Sequence, residues 1–373
     1  RSIQASTHKK GCYLLKKYNI SKNICIFLFF LSIPYLNIHG NTTNENTGDS
    51  DLEIRYAAEL NHLPIGCRTI AMGNTGVVLP YSDINFFWNP SLLSFSQKKV
   101  ISVEGAKLYG GLSSIGTISF NAPIQRGLNV GILYKAFFPD DIIEYDSLPG
   151  TLFERQGNYD INGYIPKGTF HNNHHSIIVS VAKQFVISSL RPTSYSLPLP
   201  IILGAGLNIK STWQTMTPGD KVRMGYNINL DGGLIVGLGV DYNLSEKEIM
   251  REILVAFTIK DFIPTKMIWL HSYEGYEEPV HHTEYYGLSY IDRSGFLHGN
   301  WTISLALHKL YEVSLHAGLE GEFFNTVSFR CGFSNKIFTV GTGIHYRRYS
   351  VDYSFSFDEI AFSFFRLAVG IKF

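Results

Sequence analysis

The side chains best suited to chemistry in this chain are its histidines and a set of charges that recur on alternate positions. His171, His174 and His175 lie close together, and His281 and His282 form a second group. Imidazoles at short spacing can ligate a transition metal. No cysteine or carboxylate stands at a recognised ligand spacing from either group, and both fall in or beside loops. They read as solvated loop histidines, and no metal is expected. A serine hydrolase on this chain would need an activated nucleophile, yet no Gly-x-Ser-x-Gly elbow occurs. Ser and His are also too plentiful for a chance pairing to mark a triad. No catalytic residue and no cofactor-binding residue is expected, so the chain reads as a non-enzyme. A third set, His316, Glu320, Arg330, His345, Arg348, Asp352 and Arg366, shares the polar phase of alternating segments. These residues could line a permeation path. The favoured account is that opposite charges on neighbouring strands pair across a filled lumen, each pair contributing about 0.2–1 kcal/mol.

The elements that position these groups are strands. Near the C-terminus Phe365, Leu367, Val369, Ile371 and Phe373 share one face while Arg366, Ala368, Gly370 and Lys372 share the other. Just before them Tyr349, Val351, Tyr353, Phe355 and Phe357 alternate with Arg348, Ser350, Asp352, Ser354 and Ser356. Leu203 to Lys210 and Val313 to Glu320 repeat the split. Period two over such lengths means β-strand. One face carries aromatics out to the strand ends, and the other is rich in Gly, Ser, Asn and Arg. That contrast suits a wall between lipid and a crowded polar lumen better than a soluble sandwich.

Composition agrees. The 373 residues carry a net charge of +1, are 45% hydrophobic and 14% aromatic, and include only 17% charged residues, against roughly 25% in a typical soluble domain. The aromatic content excludes intrinsic disorder. The neutral balance leaves no basic footprint, so nucleic acid is not an expected partner. After the first forty residues no apolar run approaches the roughly 20 needed for a helical span. Segments between about 98 and 373 number fifteen. Joining 223–235 to 236–244, whose boundary has the weakest turn signal, leaves fourteen, an even number as bacterial barrels require. The long connections 139–171, 213–222 and 264–279 then fall at one end, as in outer-membrane barrels. Phe137, Phe138, Trp213, Trp269, Trp301, Tyr346 and Tyr349 read as interfacial girdle residues.

Residues 1–40 read as a signal peptide: Lys9, Lys10, Lys16, Lys17 and Lys22 precede an apolar stretch from Ile24 to about Ile38, and Gly40 supplies a small residue for cleavage. Cys12 and Cys25 would leave with it. Cys67 and Cys331 remain as lone residues, which suggests no disulfide framework. Residues 41–62 are expected to be a flexible mature N-terminus. Residues 63–97 mix glycines and turn signals and read as a compact irregular segment. Residues 98–373 would be the transmembrane β-barrel.

Three stretches resemble the PorV/PorQ family of outer-membrane proteins, relatives of the FadL-type long-chain fatty acid transporters. The first runs from Gly66 through Gly73 and Gly76 to Trp88, Asn89, Pro90 and Leu93. The second is Asp261 to Trp269, and the third runs from Gly341 through His345 and Asp352 to Tyr353 and on into the Phe-terminated last strand. Ser91 departs mildly from the family's usual Ala. The resemblance implies a FadL-like barrel of about fourteen strands in the outer membrane of a Gram-negative-type bacterium. Its lumen would be closed by an N-terminal hatch containing Gly66, Gly73, Gly76, Trp88, Asn89 and Pro90. Trp88 would be buried with its N–H bonded, and Gly204, Gly206, Gly341, Gly343 and Gly370 would make room for the hatch. The alternation ending at Phe373 resembles the C-terminal signal read by the barrel assembly machinery. The first function implied is an accessory of type IX secretion, binding cargo proteins and other secretion components through a loop with Tyr145, Phe153, Glu154, Tyr159 and Tyr164. The alternative is a channel taking up hydrophobic small molecules, which would leave through a lateral gap or past the hatch.

Overall fold

Alternation along the sequence becomes alternation across a wall. The computed structural model describes residues 58–125, 127–144, 168–190, 199–217, 222–243, 248–270, 277–357 and 364–373. The strands are β1 (Val100–Leu108), β2 (Ser113–Gln125), β3 (Leu128–Pro139), β4 (Ile142–Glu144), β5 (Gly168–Phe170), β6 (Asn172–Leu190), β7 (Leu199–Met216), β8 (Arg223–Asn243) and β9 (Glu248–Lys260). They continue as β10 (Lys266–Leu270), β11 (Glu277–Pro279), β12 (Thr283–Asp292), β13 (Gly299–Lys309), β14 (Val313–Phe323), β15 (Val327–Ser334), β16 (Ile337–Tyr346), β17 (Tyr349–Phe357) and β18 (Phe364–Lys372).

Fourteen of these form a closed antiparallel ring, from β9 through β12 to β18, then β1, β2, β3, β6, β7 and β8, which pairs back onto β9. Closure between first and last strands runs from Val100 opposite Lys372 to Lys107 opposite Phe365. The merged segment 223–244 is one strand, β8. The remaining four are short additions: β4 pairs with β5, and β10 with β11 extends the tall end of β8.

Ile118, Phe120, Ile132, Val179, Leu207, Ile209, Val351 and Leu367 point outward and are exposed, while Ser102, Ser119, Ser180, Asn208, Thr258, Ser304, Ser328 and Ser354 point inward and are buried. An apolar exterior over a polar interior is the surface of a barrel that meets lipid. Among the described residues no helix is long and apolar enough to cross a membrane. Tight connections follow from local backbone chemistry: the two-residue turns at Asn335 and Arg347 place both at positive φ, 57° and 54°.

The interior is not uniformly polar. Leu133, Ile178, Ile235 and Leu254 also point inward and are fully or almost fully buried. They join Phe86, Leu92 and Leu93 of the N-terminal segment in one apolar cluster. The chain from Ala58 to Phe95 runs inside the ring as short 3₁₀ turns and one small helix, α1 (Cys67–Ala71). Ala58, Leu60 and Asn61 are already buried, ahead of the boundary expected at residue 63.

Candidate functional site: the filled lumen and its wall

The luminal segment is held by two unlike walls. Toward β1 and β14 to β17 the contacts are ionic. The backbone N–H groups of Gly66 and Cys67, at the start of α1, donate to the Glu104 carboxylate at 3.1 and 2.9 Å. Arg68 clasps Glu320, and Arg330 ties Glu320 to Asp352. Arg366 pairs with Glu104 at 3.3 Å. Of the charges expected on the polar phase, His316, Glu320, Arg330, His345, Asp352 and Arg366 therefore meet one another or the luminal segment, whereas Arg348 is exposed in a turn.

Toward β6 to β9 the contacts are largely apolar and close to backbone, joined by hydrogen bonds from Asn208 Nδ2 to Phe86 O at 2.9 Å and from Thr212 Oγ1 to Asn61 Oδ1 at 3.0 Å. A Cβ at Gly206 would strike Pro90, and one at Gly233 would strike Asn89 Oδ1. At Gly204 it would lie 2.6 Å from Ser94 Oγ. On the ionic side, a Cβ at Gly341 would sit 2.5 Å from Ala71 Cβ, and one at Gly370 would sit 2.5 Å from Asp83 Oδ2. Gly343 differs, because it leaves space for the Arg330 guanidinium and Asp352.

Trp88 is 3% exposed, and its indole N–H donates to Ile65 O at 2.8 Å, inside its own segment. It packs edge-on against Phe87 and Tyr285 and beside His308. Gly76 lies against it, where a Cβ would fall 2.6 Å from indole Cδ1. Gly66 and Gly73 adopt φ of 98° and 65°, which bulkier residues resist. Asn89 binds Val77 O through Nδ2 at 3.0 Å and accepts from Ser91 N at 3.0 Å, fixing the turn that Pro90 opens.

Burial perturbs the titratable groups of the segment. Desolvation, reinforced by Lys210, Lys260 and Lys135, keeps His62 well below its ordinary range. Burial raises the Asp83 carboxyl and pushes the Cys67 thiol up.

Three inward lysines converge on the segment: Lys210, which the alternation of its strand already places on the polar face, and Lys135 and Lys260, which the sequence reading does not single out. Lys135 donates to the carbonyls of Leu60 and Leu63. Lys210 bridges Asp231 and Asp261, each at 2.9 Å. Lys260 lies over the Phe87 ring at 3.8 Å.

The wall changes at this level. β8 pairs with β9 only from Gly232 onward, and with β10 only over Met224–Tyr226. Residues 261–265 cross the interval. Phe262 N donates to Leu230 O at 3.1 Å, and Asn227 and Asn229 donate to Thr265 Oγ1 at 2.9 and 2.8 Å. Next to this crossing the outer face holds an apolar depression of about 690 Å³, lined by Leu207, Gly232, Gly233, Leu234, Phe257 and Phe262 among others. At the opposite end the lumen opens as a cavity of about 890 Å³, mixed in lining, with Asp83, Glu252, Arg293 and Lys372 among its charged residues and Phe95 and Ile202 among its apolar ones.

Phe365, Leu367 and Val369 are exposed on the outer face of β18, Ile371 is half-buried, and Phe373 N donates to Lys99 O at 2.9 Å. Phe137 does not join the girdle: it points inward and packs on the luminal cluster. Trp269 donates to Glu278 at 2.9 Å and packs on Met267, beside Ala58. Tyr145, Phe153, Glu154, Tyr159 and Tyr164 lie outside the described residues, as do residues 1–57. Among the described residues no group of His, Cys, Asp and Glu is arranged to hold a metal.

No protein-family model matches the sequence, and no curated protein matches it. Among solved structures the chain is similar to the toluene transporter TbuX of Ralstonia pickettii, with a TM-score of 0.49 and 11% identity over 83% of this chain and 98% of that one. It is also similar to a FadL homologue of Pseudomonas aeruginosa (TM-score 0.47, 11% identity, 83% and 98% covered). The toluene transporter TodX of Pseudomonas putida gives a TM-score of 0.44 at 11% identity, with 83% and 97% covered.

Proposed function

We propose that this chain is an outer-membrane barrel that conducts hydrophobic small molecules, with residues 58–97 as its hatch. The observation that carries the reading is the wall beside Asn89 and Pro90. There Gly206 and Gly233 reduce the barrier between the lumen and the lipid-facing depression to backbone. A porin for polar solutes needs a water-filled lumen, whereas this lumen is filled by Phe86, Leu92, Leu93 and their apolar wall. The secretion reading draws on the sequence resemblance alone. A source genome without exported proteins bearing type IX sorting domains would remove it.

The test compares the full chain with a deletion of residues 63–96, both in planar bilayers and in cells whose own hydrophobic-solute channels are removed. The intact protein should be nearly silent to ions yet speed entry of an apolar solute over a polar one of equal size. The deletion should conduct ions. Equal ion conductance from both would place the segment outside the permeation path, and no gain in apolar uptake would end the conduit reading.

A further inference from the structure

Lys260 and Asp261 are consecutive in the chain and face different partners. Lys260 Nζ lies 3.8 Å from the centroid of Phe87, 5.1 Å from Tyr285 and 5.3 Å from Trp88. Two of these three rings belong to the luminal segment. Asp261, at a φ of 54°, ends β9. Its N–H donates to Asp231 Oδ1 at 3.0 Å, and its carboxylate accepts from Lys210 Nζ at 2.9 Å. Lys210 also donates to Asp231 at 2.9 Å, and Asn208 Nδ2 donates to the other Asp231 oxygen at 3.2 Å. Lys210, Asp231, Lys260 and Asp261 are each no more than 2% exposed.

These contacts define which partner each charge has. A buried ammonium must be satisfied by rings, carbonyls or carboxylates, because water does not reach it. While Phe87 and Trp88 are seated, their ring faces serve Lys260, and Lys210 is the ammonium that bridges the two aspartates. If Phe87 and Trp88 leave, Lys260 keeps the Tyr285 ring at 5.1 Å and needs a carboxylate, and Asp261 stands next to it in the chain, bonded through its own N–H to Asp231. Lys260 then draws on the same oxygens that Lys210 uses to pin Asp261, the first residue of the crossing that covers Asn227, Asn229 and Asp231.

We infer that Lys260 is a positioning residue that couples the luminal segment to the wall. With Phe87 and Trp88 in place, Lys210, Asp231 and Asp261 bolt residues 261–265 across β8. Displacing the rings turns Lys260 into a competitor for the bolt and frees the crossing. The purpose of the device rests on the conduit reading, but the coupling itself belongs to these residues and is measured without any transported solute.

The test places a reporter under the crossing: Asn229→Cys, buried in the closed wall, in a Cys67→Ala, Cys331→Ala background reconstituted in lipid vesicles. Its rate of reaction with a small maleimide reads how often residues 261–265 lift away. Phe87→Leu, which keeps an apolar side chain and removes the ring, should raise the rate by about tenfold, as expected for interacting sites. In the Lys260→Met background the same Phe87→Leu change should have no further effect. Lys260→Arg, which keeps a cation for the rings, should restore the dependence. An equal rise from Phe87→Leu with and without Lys260, or no rise at all, overturns the coupling. If Phe87→Leu does not assemble, Trp88→Leu removes another ring and gives the same comparison. Apolar flux through the same vesicles is scored separately, so loss of coupling with flux retained, or the reverse, tells which of the two readings has failed.

Discussion

Arg68 holds Glu320 by two near-parallel bonds across the lumen, Nε to Oε2 at 2.8 Å and Nη2 to Oε1 at 2.7 Å. The fork geometry is the strong form of a charge-assisted pair, and Arg68 also donates to the Pro80 carbonyl at 2.6 Å. One side chain thus ties α1, the loop after it and β14 together.

Arg68→Met should therefore loosen the luminal segment before the ring. Glu320 keeps Arg330, so it is not left as a lone buried charge, and the cost falls at the lower end of the range for a broken buried pair, about 3 kcal/mol. Limited proteolysis should cut within residues 63–97 while the barrel band persists. Cleavage no faster than in the parent would show that the clasp is dispensable.

A glycine series separates luminal contact from lipid contact. A Cβ at Gly332 would collide with the backbone of Gly73 and lie 2.5 Å from Met72 C, whereas at Gly105 nothing lies within 4 Å. Gly332→Ala should displace the segment and produce ion conductance in the full-length chain, and Gly105→Ala should leave a silent, stable barrel. Silent barrels from both variants would mean that the segment yields at no cost at Gly73.

Acid should act in opposite directions on the two ends of the segment. His62 is depressed in the folded chain, so its contribution is whole above the ordinary value of 6.5 and is lost as pH falls below that toward the folded value, because the unfolded chain takes up the proton first. Asp83 is raised, so its burden is present at neutral pH and is relieved as pH falls through the raised value toward 3.8. Between about pH 7.5 and 5.5, amide exchange taken relative to the intrinsic rate at each pH should quicken around residues 58–63, and it should not quicken around residues 81–84. His62→Asn should flatten the first response. Unchanged exchange at residues 58–63 in the parent would contradict the sign argued for His62.

Removing Phe373 should weaken closure. Its N–H bonds Lys99 O, and β18 pairs along β1 from Lys372 to Phe365, so the last strand is an edge until it finds the first. The truncated chain should accumulate outside the membrane fraction. Undiminished heat-modifiable barrel in that fraction would show that the terminal residue is not needed.

Much of the ring was legible because period two is unambiguous where one face is polar, and even the join within β8 followed from a weak boundary that offers no turn residue beyond Asp231, Gly232 and Gly233. The short β4, β5, β10 and β11 were not, since three to five residues carry no period. The apolar inner wall was hidden for a different reason. Ile177-Ile178-Val179 and Leu234-Ile235-Val236 are apolar on both faces, so alternation cannot reveal that Ile178 and Ile235 line the lumen. The three lysines left a faint signal, each standing on the inward phase of its strand. Their convergence depends on how β3, β7 and β9 are arranged around the ring, which strand register fixes and sequence spacing does not.

The luminal segment touches both ends of the sheet that surrounds it. It meets Glu104 of β1 and Asn129 of β3, each within about forty residues in sequence, and Glu320, some 252 residues away, which is made much later. A chain emerging from its N-terminus has this segment in hand before the first strand of the ring, β1, yet its clasp to β14 cannot form until most of the sheet is present. Threading it afterwards through a ring already sealed by β1 and β18 would require stripping every buried contact at once. The sheet must instead curl around the segment, which makes it a mandrel for closure and gives the protein a high contact order, with the slow folding such topology brings. Substitutions at Gly332 or Arg68 should consequently register in the rate of barrel formation as well as in its final stability.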